Sequence, residues 1–224
     1  RSDLDILNTD DVQRVGEYDA IIHLAAHFDK HPAGASQCFQ TNAEGTRSVL
    51  EHVRSGSVFI YASTKDVYGS NASAADEVAE NTSTVYCGQT AFEWSKLMGE
   101  QYVEYYAKTR GFRACIFRMS TVFARPSDGN DYGVVTHYVE SIKHRQPIRL
   151  PAGADPVRDI LYVDDLSRAC RAFMNSTVTF GLYNLGGGRL NAVSLRGIIE
   201  RVSKMIEIEP VIEEDARMPA PIPI

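Results

Sequence analysis

Phe92 and Lys96 stand at a spacing that bears on proton-transfer chemistry. Both fall in a predicted helix, where side chains four residues apart lie on the same face. A lysine ammonium lowers the pKa of an acid beside it. The side chain at position 92 is a phenyl ring, which has no proton to give or take. The spacing therefore puts Lys96 beside an aromatic ring that has no acidic proton.

Polar side chains follow the second of two predicted buried strands. This strand covers residues 57–62, and Thr64 and Asp66 come soon after it. The hydroxyl could hydrogen-bond a ligand and the carboxylate could move a proton. Strand-end hydrogen bonding and an ordinary loop aspartate explain the same two residues about as simply. His23, in the first predicted strand, is more simply a core histidine than a catalyst.

The elements that would position these residues alternate between buried strands and helices. Residues 19–26 and 57–62 are short apolar runs, typical of strands buried on both faces. Residues 37–54 between them have helical periodicity. A second helix over residues 91–109 leads into a third strand over residues 113–118. This order predicts an α/β fold with a doubly wound parallel sheet and right-handed crossovers.

Beyond residue 123 the predicted elements become short and mixed. We expect a smaller lobe over residues 124–224, interleaved with elements that return to the sheet. Asp164 and Asp165 precede one of its helices and are explained by N-capping. The predicted helices cover residues 134–143, 164–174 and 193–205, and the predicted strands cover residues 148–150, 160–163 and 182–185.

Composition narrows the classes of partner. A net charge of -6 over 224 residues argues against nucleic acid or an anionic membrane as the main partner. The sequence has no run of 18 apolar residues, so we expect no membrane span. Its four cysteines lie far apart, with no metal-ligand spacing. They predict free thiols in a reducing compartment, here the cytoplasm, and no metal site.

Seven motifs occur in one order along the chain. Together they resemble the extended short-chain dehydrogenase/reductase family, in particular the NAD-dependent nucleotide-sugar epimerases and dehydratases. The resemblance runs over essentially all 224 residues. The motifs are HLAA (23–26), TNAEGT (41–46), YASTKDVYG (61–69), SKLMGEQY (95–102), FRMSTVF (117–123), RDILYVDDL (158–166) and YNLGGG (183–188).

The resemblance implies a Rossmann-like NAD-binding domain, of which residues 1–123 are the remainder. It also implies a homodimer. Lys96 matches the lysine that grips the nicotinamide ribose, and Asn42 matches the asparagine that holds strand and helix geometry behind the cofactor. The residues that the resemblance places at NAD are Asp3, Leu4, Leu24, Ala25, Ala26, Asn42 and Lys96.

The implied substrate is a nucleoside-diphosphate sugar. Thr64 matches the residue that hydrogen-bonds the sugar hydroxyl or carbonyl. Arg158 matches the arginine that binds the diphosphate, for which a guanidinium suits phosphate. Asp66 holds the place of an acidic residue in the dehydratases, which indicates chemistry through a 4-keto intermediate. The residues implied to contact substrate are Thr64, Tyr86, Thr121, Arg158 and Arg217.

The sequence departs from the family pattern at three places, one of which is Lys65, where some members carry a second acid. The glycine-rich phosphate loop that opens this fold is not in the sequence. Since the chain also starts at Arg1 and ends on MPAPIPI, we expect the N-terminal part of the fold to be missing. In the family a tyrosine stands at the position of Phe92. A natural variant that recruits another base such as Tyr86, an engineered change, or binding without turnover would each explain Phe92.

The sequence thus predicts an NAD-dependent nucleotide-sugar epimerase or dehydratase, with its motifs most like those of CDP-deoxyhexose epimerases. The alternative is a catalytically impaired or regulatory nucleotide-binding protein of the same fold. A reductase for a non-sugar carbonyl is disfavoured because Arg158 would then have no diphosphate to hold.

Overall fold

The computed structural model describes residues 4–74, 77–125 and 133–216. Two candidate residues, Asp3 and Arg217, lie outside this part of the chain. The chain divides into two compact units. The first comprises residues 1–71, 79–119 and 168–184, and the second comprises residues 72–78, 120–167 and 185–224.

The described elements alternate between strands and helices along most of the chain. A π-helical stretch, Phe39–Gly45, joins the second and third helices into one continuous helical segment. In chain order the elements are α1 (Thr9–Gln13), β1 (Ala20–His23), α2 (Ala35–Cys38), α3 (Thr46–Leu50), β2 (Val58–Thr64), α4 (Ala91–Arg110), β3 (Arg113–Met119), β4 (Thr121–Phe123), α5 (Val134–Lys143), β5 (Pro147–Pro151), β6 (Val157–Tyr162), α6 (Val163–Asn175), β7 (Phe180–Leu185), β8 (Ala192–Ser194), α7 (Leu195–Ile206) and β9 (Val211–Asp215).

The sheet of the first unit has the strand order β1-β2-β3-β7. β1 runs parallel to β2, with His23 opposite Tyr61, and β2 runs parallel to β3, with Thr64 opposite Met119. The helical segment α2–α3 connects β1 to β2, and α4 connects β2 to β3. The prediction of an α/β fold built on a parallel sheet is confirmed.

Local signals explain where α4 begins and ends. Thr90 and Glu93 form a capping box, in which the Thr90 backbone N–H donates to Oε2 of Glu93 at 2.7 Å. At the other end Gly111 takes a left-handed conformation, with φ 72°, and its N–H bonds the carbonyl of Ala107. The helix is therefore fixed at both ends by its own sequence.

The core of the first unit lies between the sheet and its helices. Every residue of β2 before Thr64 is buried, as the apolar run predicts for a central strand. The buried core includes Val12, Val15, Val49, Leu50, Val53, Phe59, Tyr61, Val103, Phe112 and Ile116.

The second unit has its own small sheets and its own core. One sheet has the order β4-β6-β8 and the other pairs β5 with β9 in parallel. Its core includes Val135, Tyr138, Ile142, Ile148, Leu150, Val193, Leu195, Ile198 and Ile199.

Some element boundaries differ from those predicted. β1 ends at His23, so residues 24–26 follow the strand instead of completing it. The helix predicted over residues 37–54 spans α2 to α3 and stops at Leu50. α6 begins at Val163, which places Asp164 and Asp165 in its first turn and not before it. Three strands, β4, β8 and β9, were not predicted, because each is defined by pairing with a strand far along the chain.

Candidate active site

Lys96 lies on α4 against the end of β2. Its ammonium donates a hydrogen bond to the backbone carbonyl of Ala62 at 2.8 Å and lies 5.0 Å from the ring centroid of Tyr61. The side chain is buried, and burial lowers the pKa of Lys96 to about 8 although Glu100 acts in the opposite direction. An ammonium has three N–H donors. Within the described residues, the Ala62 carbonyl accepts one of these N–H donors. Donors therefore remain for the hydroxyls of a ribose, which is what a nicotinamide dinucleotide would require of Lys96.

Phe92 is buried one helical turn before Lys96. Its ring meets the ring of Phe28 edge-on, with centroids 4.7 Å apart and an interplanar angle of 66°. Phe28 belongs to the loop that follows β1. The position at which the resemblance implies a tyrosine is thus occupied by one of a pair of apolar rings.

Thr64 is the last residue of β2, two residues beyond the carbonyl that Lys96 contacts. The Thr64 hydroxyl accepts a hydrogen bond from the Asp66 backbone N–H at 3.2 Å. The Asp66 carboxylate pairs with Lys30 at 2.7 Å and with Lys65 at 2.6 Å. Burial raises the pKa of Asp66, but the charges of Lys65 and Lys30 outweigh burial and bring it to about 2. At neutral pH the carboxylate is therefore ionised.

Lys30 is a residue of this site that the sequence did not reveal. Its ammonium pairs with Asp66 and, at 2.8 Å, with Glu93 in the first turn of α4. It lies 5.9 Å from the ring centroids of both Phe28 and Phe92. Asp66 is 36 residues further along the chain, and no local pattern marks a contact at that separation.

Asn42 ties the loop after β1 to α4. Its amide nitrogen donates to the His27 carbonyl and to the Ser95 hydroxyl, both at 2.9 Å, and its amide oxygen accepts from the His27 N–H at 2.7 Å. The Ser95 hydroxyl in turn donates to the carbonyl of Phe92 at 2.8 Å. Asn42 thus links the loop that carries Phe28 and Lys30 to the helical turn that carries Phe92.

A buried ion pair lies one turn beyond Lys96. Glu100 pairs with Arg118 of β3 at 2.7 Å and accepts a hydrogen bond from the Ser63 hydroxyl at 2.5 Å. Arg118 also donates to the Tyr68 hydroxyl at 3.0 Å. Since Ser63 directly precedes Thr64, this network and the bond from Lys96 to Ala62 hold the end of β2 against α4.

The remaining candidates of the first unit have simpler surroundings. His23 is buried with Nε2 2.9 Å from the Thr46 hydroxyl, and burial, with a smaller effect of Lys96, lowers the pKa of His23 to about 3. This is the core histidine that the sequence favoured. Tyr86 is exposed and stacks on Trp94, with centroids 6.3 Å apart. Leu4 packs against the core, whereas Leu24, Ala25 and Ala26 are exposed beyond β1.

The other two described candidates belong to the second unit. Thr121 begins β4, and Arg158 lies in β6, where it donates to the carbonyl of Val157 at 2.8 Å. This unit has a cavity of about 540 Å³ beside α5. The cavity is lined by Phe123, Ala124, Arg125, Val135, Thr136, Val139, Tyr162 and Asp164.

Two kinds of feature are absent from the described residues. Over residues 4–74, 77–125 and 133–216, no three His, Cys, Asp or Glu side chains converge as metal ligands would. Across the same part of the chain, no helix has both the length and the apolar character needed to cross a bilayer.

The parallel sheet, the lysine on the helix after β2 and the polar residues at the end of β2 lie together in the first unit, as the resemblance implies. The chain belongs to the NAD dependent epimerase/dehydratase family, whose model matches residues 1–186. The resemblance drawn from the seven motifs is confirmed.

Similar proteins include both epimerases and dehydratases. CDP-paratose 2-epimerase from Salmonella typhi is 28% identical over 96% of this chain and 73% of its own length. dTDP-glucose 4,6-dehydratase from Mycobacterium tuberculosis is 30% identical over 73% of this chain and 49% of its own length. The chain thus spans about half to three quarters of these relatives.

Solved structures share the fold. UDP-glucuronic acid 4-epimerase from Bacillus cereus, in complex with UDP-glucuronic acid and NAD, superposes with a TM-score of 0.79. It is 23% identical, and the match covers 97% of this chain and 71% of that one. The Rossmann-like architecture expected from the sequence is confirmed.

Proposed function

We propose that the protein is an NAD-dependent epimerase or dehydratase that acts on a nucleoside-diphosphate sugar through a transient keto intermediate. The observation that carries the proposal is the placement of Lys96. Its buried ammonium lies at the end of β2, two residues from Thr64, and keeps N–H donors for a ligand. A bound nicotinamide supplies the chemistry of accepting and returning hydride.

The residues of the first unit have separable roles in this proposal. Lys96 holds the nicotinamide ribose, and Thr64 hydrogen-bonds the reacting sugar oxygen. Asp66, which is ionised at neutral pH, acts as a base toward the carbon beside the keto group. The proposed cofactor contacts are Asp3, Leu4, Leu24, Ala25, Ala26, Asn42 and Lys96, and the remaining substrate contacts are Tyr86, Thr121, Arg158 and Arg217.

CDP-linked hexoses are the first substrates to test. CDP-paratose 2-epimerase is similar over 96% of this chain, and the motifs FRMSTVF and RDILYVDDL also favour a CDP-linked substrate. These stretches include Arg158, proposed to bind the diphosphate through bidentate hydrogen bonds.

One observation favours a second candidate function. Phe92 has no ionisable proton, so the protein in this alternative binds nucleotide and sugar nucleotide without turnover. The same fold and the same Lys96 site would serve it.

Turnover of the full-length protein separates the two functions. The protein is assayed with NAD and CDP-, UDP-, GDP- and dTDP-hexoses, beside a Phe92→Tyr variant, and nucleotide-sugar binding is measured by calorimetry. Conversion of at least one sugar by the unchanged protein is the expected result, and conversion by Phe92→Tyr alone would show a site built for the reaction that Phe92 disables. Binding of a sugar nucleotide without conversion by both versions would establish the alternative, and no binding at all would reject both.

We further propose a cytoplasmic homodimer. Free thiols support a reducing compartment, since all four cysteines are unpaired. α4 exposes Tyr105, which is 61% accessible, and Met98, so this helix offers an apolar face to a second copy.

A further inference from the structure

Lys30 lies in the loop after β1, and carboxylates from two other parts of the first unit hold its ammonium. Asp66 follows β2, and Glu93 lies in the first turn of α4 with a side chain that is 1% exposed. The same ammonium lies 5.9 Å from the ring centroid of Phe92. A cation therefore lies beside Phe92, the ring at the position where a tyrosine would supply a proton donor.

The ammonium remains able to serve a ligand. Of its three N–H donors, one bonds Asp66, and the ammonium also forms an ion pair with Glu93, so a donor remains for a ligand. The side chain is 38% exposed, so a ligand oxygen can reach it. Burial lowers the pKa of Lys30, but the charges and hydrogen bonds of Asp66 and Glu93 outweigh burial and raise it overall. Lys30 therefore carries its proton at neutral pH.

Two other groups could replace a tyrosine at this site, and both are less suited to the task. Tyr86 is exposed and stacked on Trp94. Asp66 is ionised and has both carboxylate oxygens in ion pairs, so it has no proton to donate at neutral pH.

We propose that Lys30 hydrogen-bonds and protonates the sugar oxygen that a tyrosine at position 92 would otherwise hold. The inference rests on the function proposed above. In the reducing direction an N–H bond of Lys30 breaks and its electron pair stays on nitrogen. The proton passes to the carbonyl oxygen of the keto sugar, whose carbon gains the hydride that a reduced nicotinamide supplies. In the oxidising direction the neutral amine takes the hydroxyl proton.

A pH dependence follows for the oxidising direction. That direction needs the neutral amine, whose fraction rises tenfold per pH unit below the pKa of the ammonium. The charged groups that face Lys30 are Asp66 and Glu93, with Lys65 bound to the other oxygen of Asp66. Both carboxylates stabilise the ammonium, so the contribution of Lys30 to oxidation should keep rising with pH above neutrality, while Lys96, whose pKa is about 8, loses its charge in the same range.

Three variants of the full-length protein test the proposal. Lys30→Met removes the proton and the ion pairs, whereas Lys30→Arg keeps a cation that cannot give up its proton. The double variant Lys30→Met with Phe92→Tyr supplies a phenol instead. Lys108→Met is the matched control, since Lys108 also pairs with a glutamate, Glu104, and lies 5.9 Å from an aromatic ring.

The assay uses NAD with CDP-, UDP-, GDP- and dTDP-hexoses, and the thermal unfolding midpoint and calorimetric sugar-nucleotide binding are measured on every protein. We expect Lys30→Met and Lys30→Arg each to lose about 100-fold or more in turnover. Lys30→Arg should keep its unfolding midpoint and its binding, the double variant should regain turnover with a changed pH profile, and Lys108→Met should behave as the unchanged protein.

Several outcomes would overturn the role of Lys30. If Lys30→Met or Lys30→Arg turns over normally, Lys30 is not the donor although the proposed function stands. If the unchanged protein is inactive and Phe92→Tyr is active, Lys30 is again not the donor, although the proposed function stands. If the double variant stays inactive while folded, Lys30 has a structural role only. If neither the unchanged protein nor Phe92→Tyr turns over any sugar, the proposed function fails and the role of Lys30 fails with it.

Discussion

Asp66 holds an ammonium on each of its two carboxylate oxygens, Lys30 on one and Lys65 on the other. Its side chain is 19% exposed, so solvent screens these contacts less than it screens a surface pair. The arrangement has two consequences at the scale of the residue. The two lysines keep the Asp66 carboxylate ionised, and they make part of the free energy of unfolding depend on pH.

Asp66→Asn should reduce the free energy of unfolding at pH 6 by at most about 2 kcal/mol. The folded-state pKa of Asp66 is lowered to about 2, below its unfolded value of 3.8. The stabilisation is therefore complete above pH 4 and is lost as the pH falls through 2. Urea unfolding of both proteins at pH 6, 4 and 2 should show a gap that closes at the acid end. A gap that stays constant across this range would contradict the assignment, and Asp19→Asn, at a largely exposed ion pair, is the control.

Glu100 gives a second prediction at this scale. Its pair with Arg118 is buried, and removal of one partner leaves the other charge without compensation. Glu100→Gln should lower the free energy of unfolding by about 3 kcal/mol or more. The matched control is Glu104→Gln, one turn away on α4 in an exposed pair with Lys108, which should cost about 0.5 kcal/mol or less. Equal losses in the two variants would show that the buried pair stabilises the fold no more than the exposed pair does.

At the scale of the element, α4 approaches β2 closely because residue 99 is glycine. A Cβ at position 99 would lie 2.1 Å from the Tyr61 hydroxyl oxygen and 3.2 Å from the Asn42 carbonyl oxygen. This close contact brings Lys96 within reach of the Ala62 carbonyl. Because residue 99 has no side chain, α4 can pack close enough to β2 for Lys96 to bond the end of that strand.

Gly99→Ala should destabilise the fold by about 1–3 kcal/mol because the fully buried Tyr61 has little room to move. Helix propensity alone would give the opposite sign, since alanine favours a helix by about 1 kcal/mol over glycine. Denaturant unfolding decides between them. Combining Gly99→Ala with Tyr61→Phe removes the nearest atom and should recover part of the loss. A stabilised Gly99→Ala variant would disprove the close packing.

At the scale of the whole molecule, the proposed dimer predicts a test on α4. Full-length protein should sediment as a dimer, and Tyr105→Glu should shift it toward monomer because a charge replaces an apolar contact. Tyr18→Glu, at a tyrosine that is 50% exposed and lies outside α4, should leave the dimer intact. A dimer that persists in Tyr105→Glu places the interface elsewhere.

Much of the candidate site followed from local pattern. The i and i+4 spacing put Phe92 and Lys96 on one helix face, and the buried run before Thr64 made it the end of a central strand. Short strands such as β4 and β8 did not follow, because pairing with β6 defines them. Periodicity reports on an element's own exposure and says nothing about a partner far along the chain.

The amino-acid sequence by itself determined the parallel α/β sheet, the family, the spacing of Phe92 and Lys96 on one helix face and the absence of a phenol at position 92. These features are encoded in residue type and in short-range spacing. Only the tertiary structure decided that Lys30 stands beside Phe92, that two lysines hold Asp66 ionised and that Glu100 is buried with Arg118. The physical reason is that a charge takes its protonation state from burial and from the partners around it, which the fold brings together from distant parts of the chain.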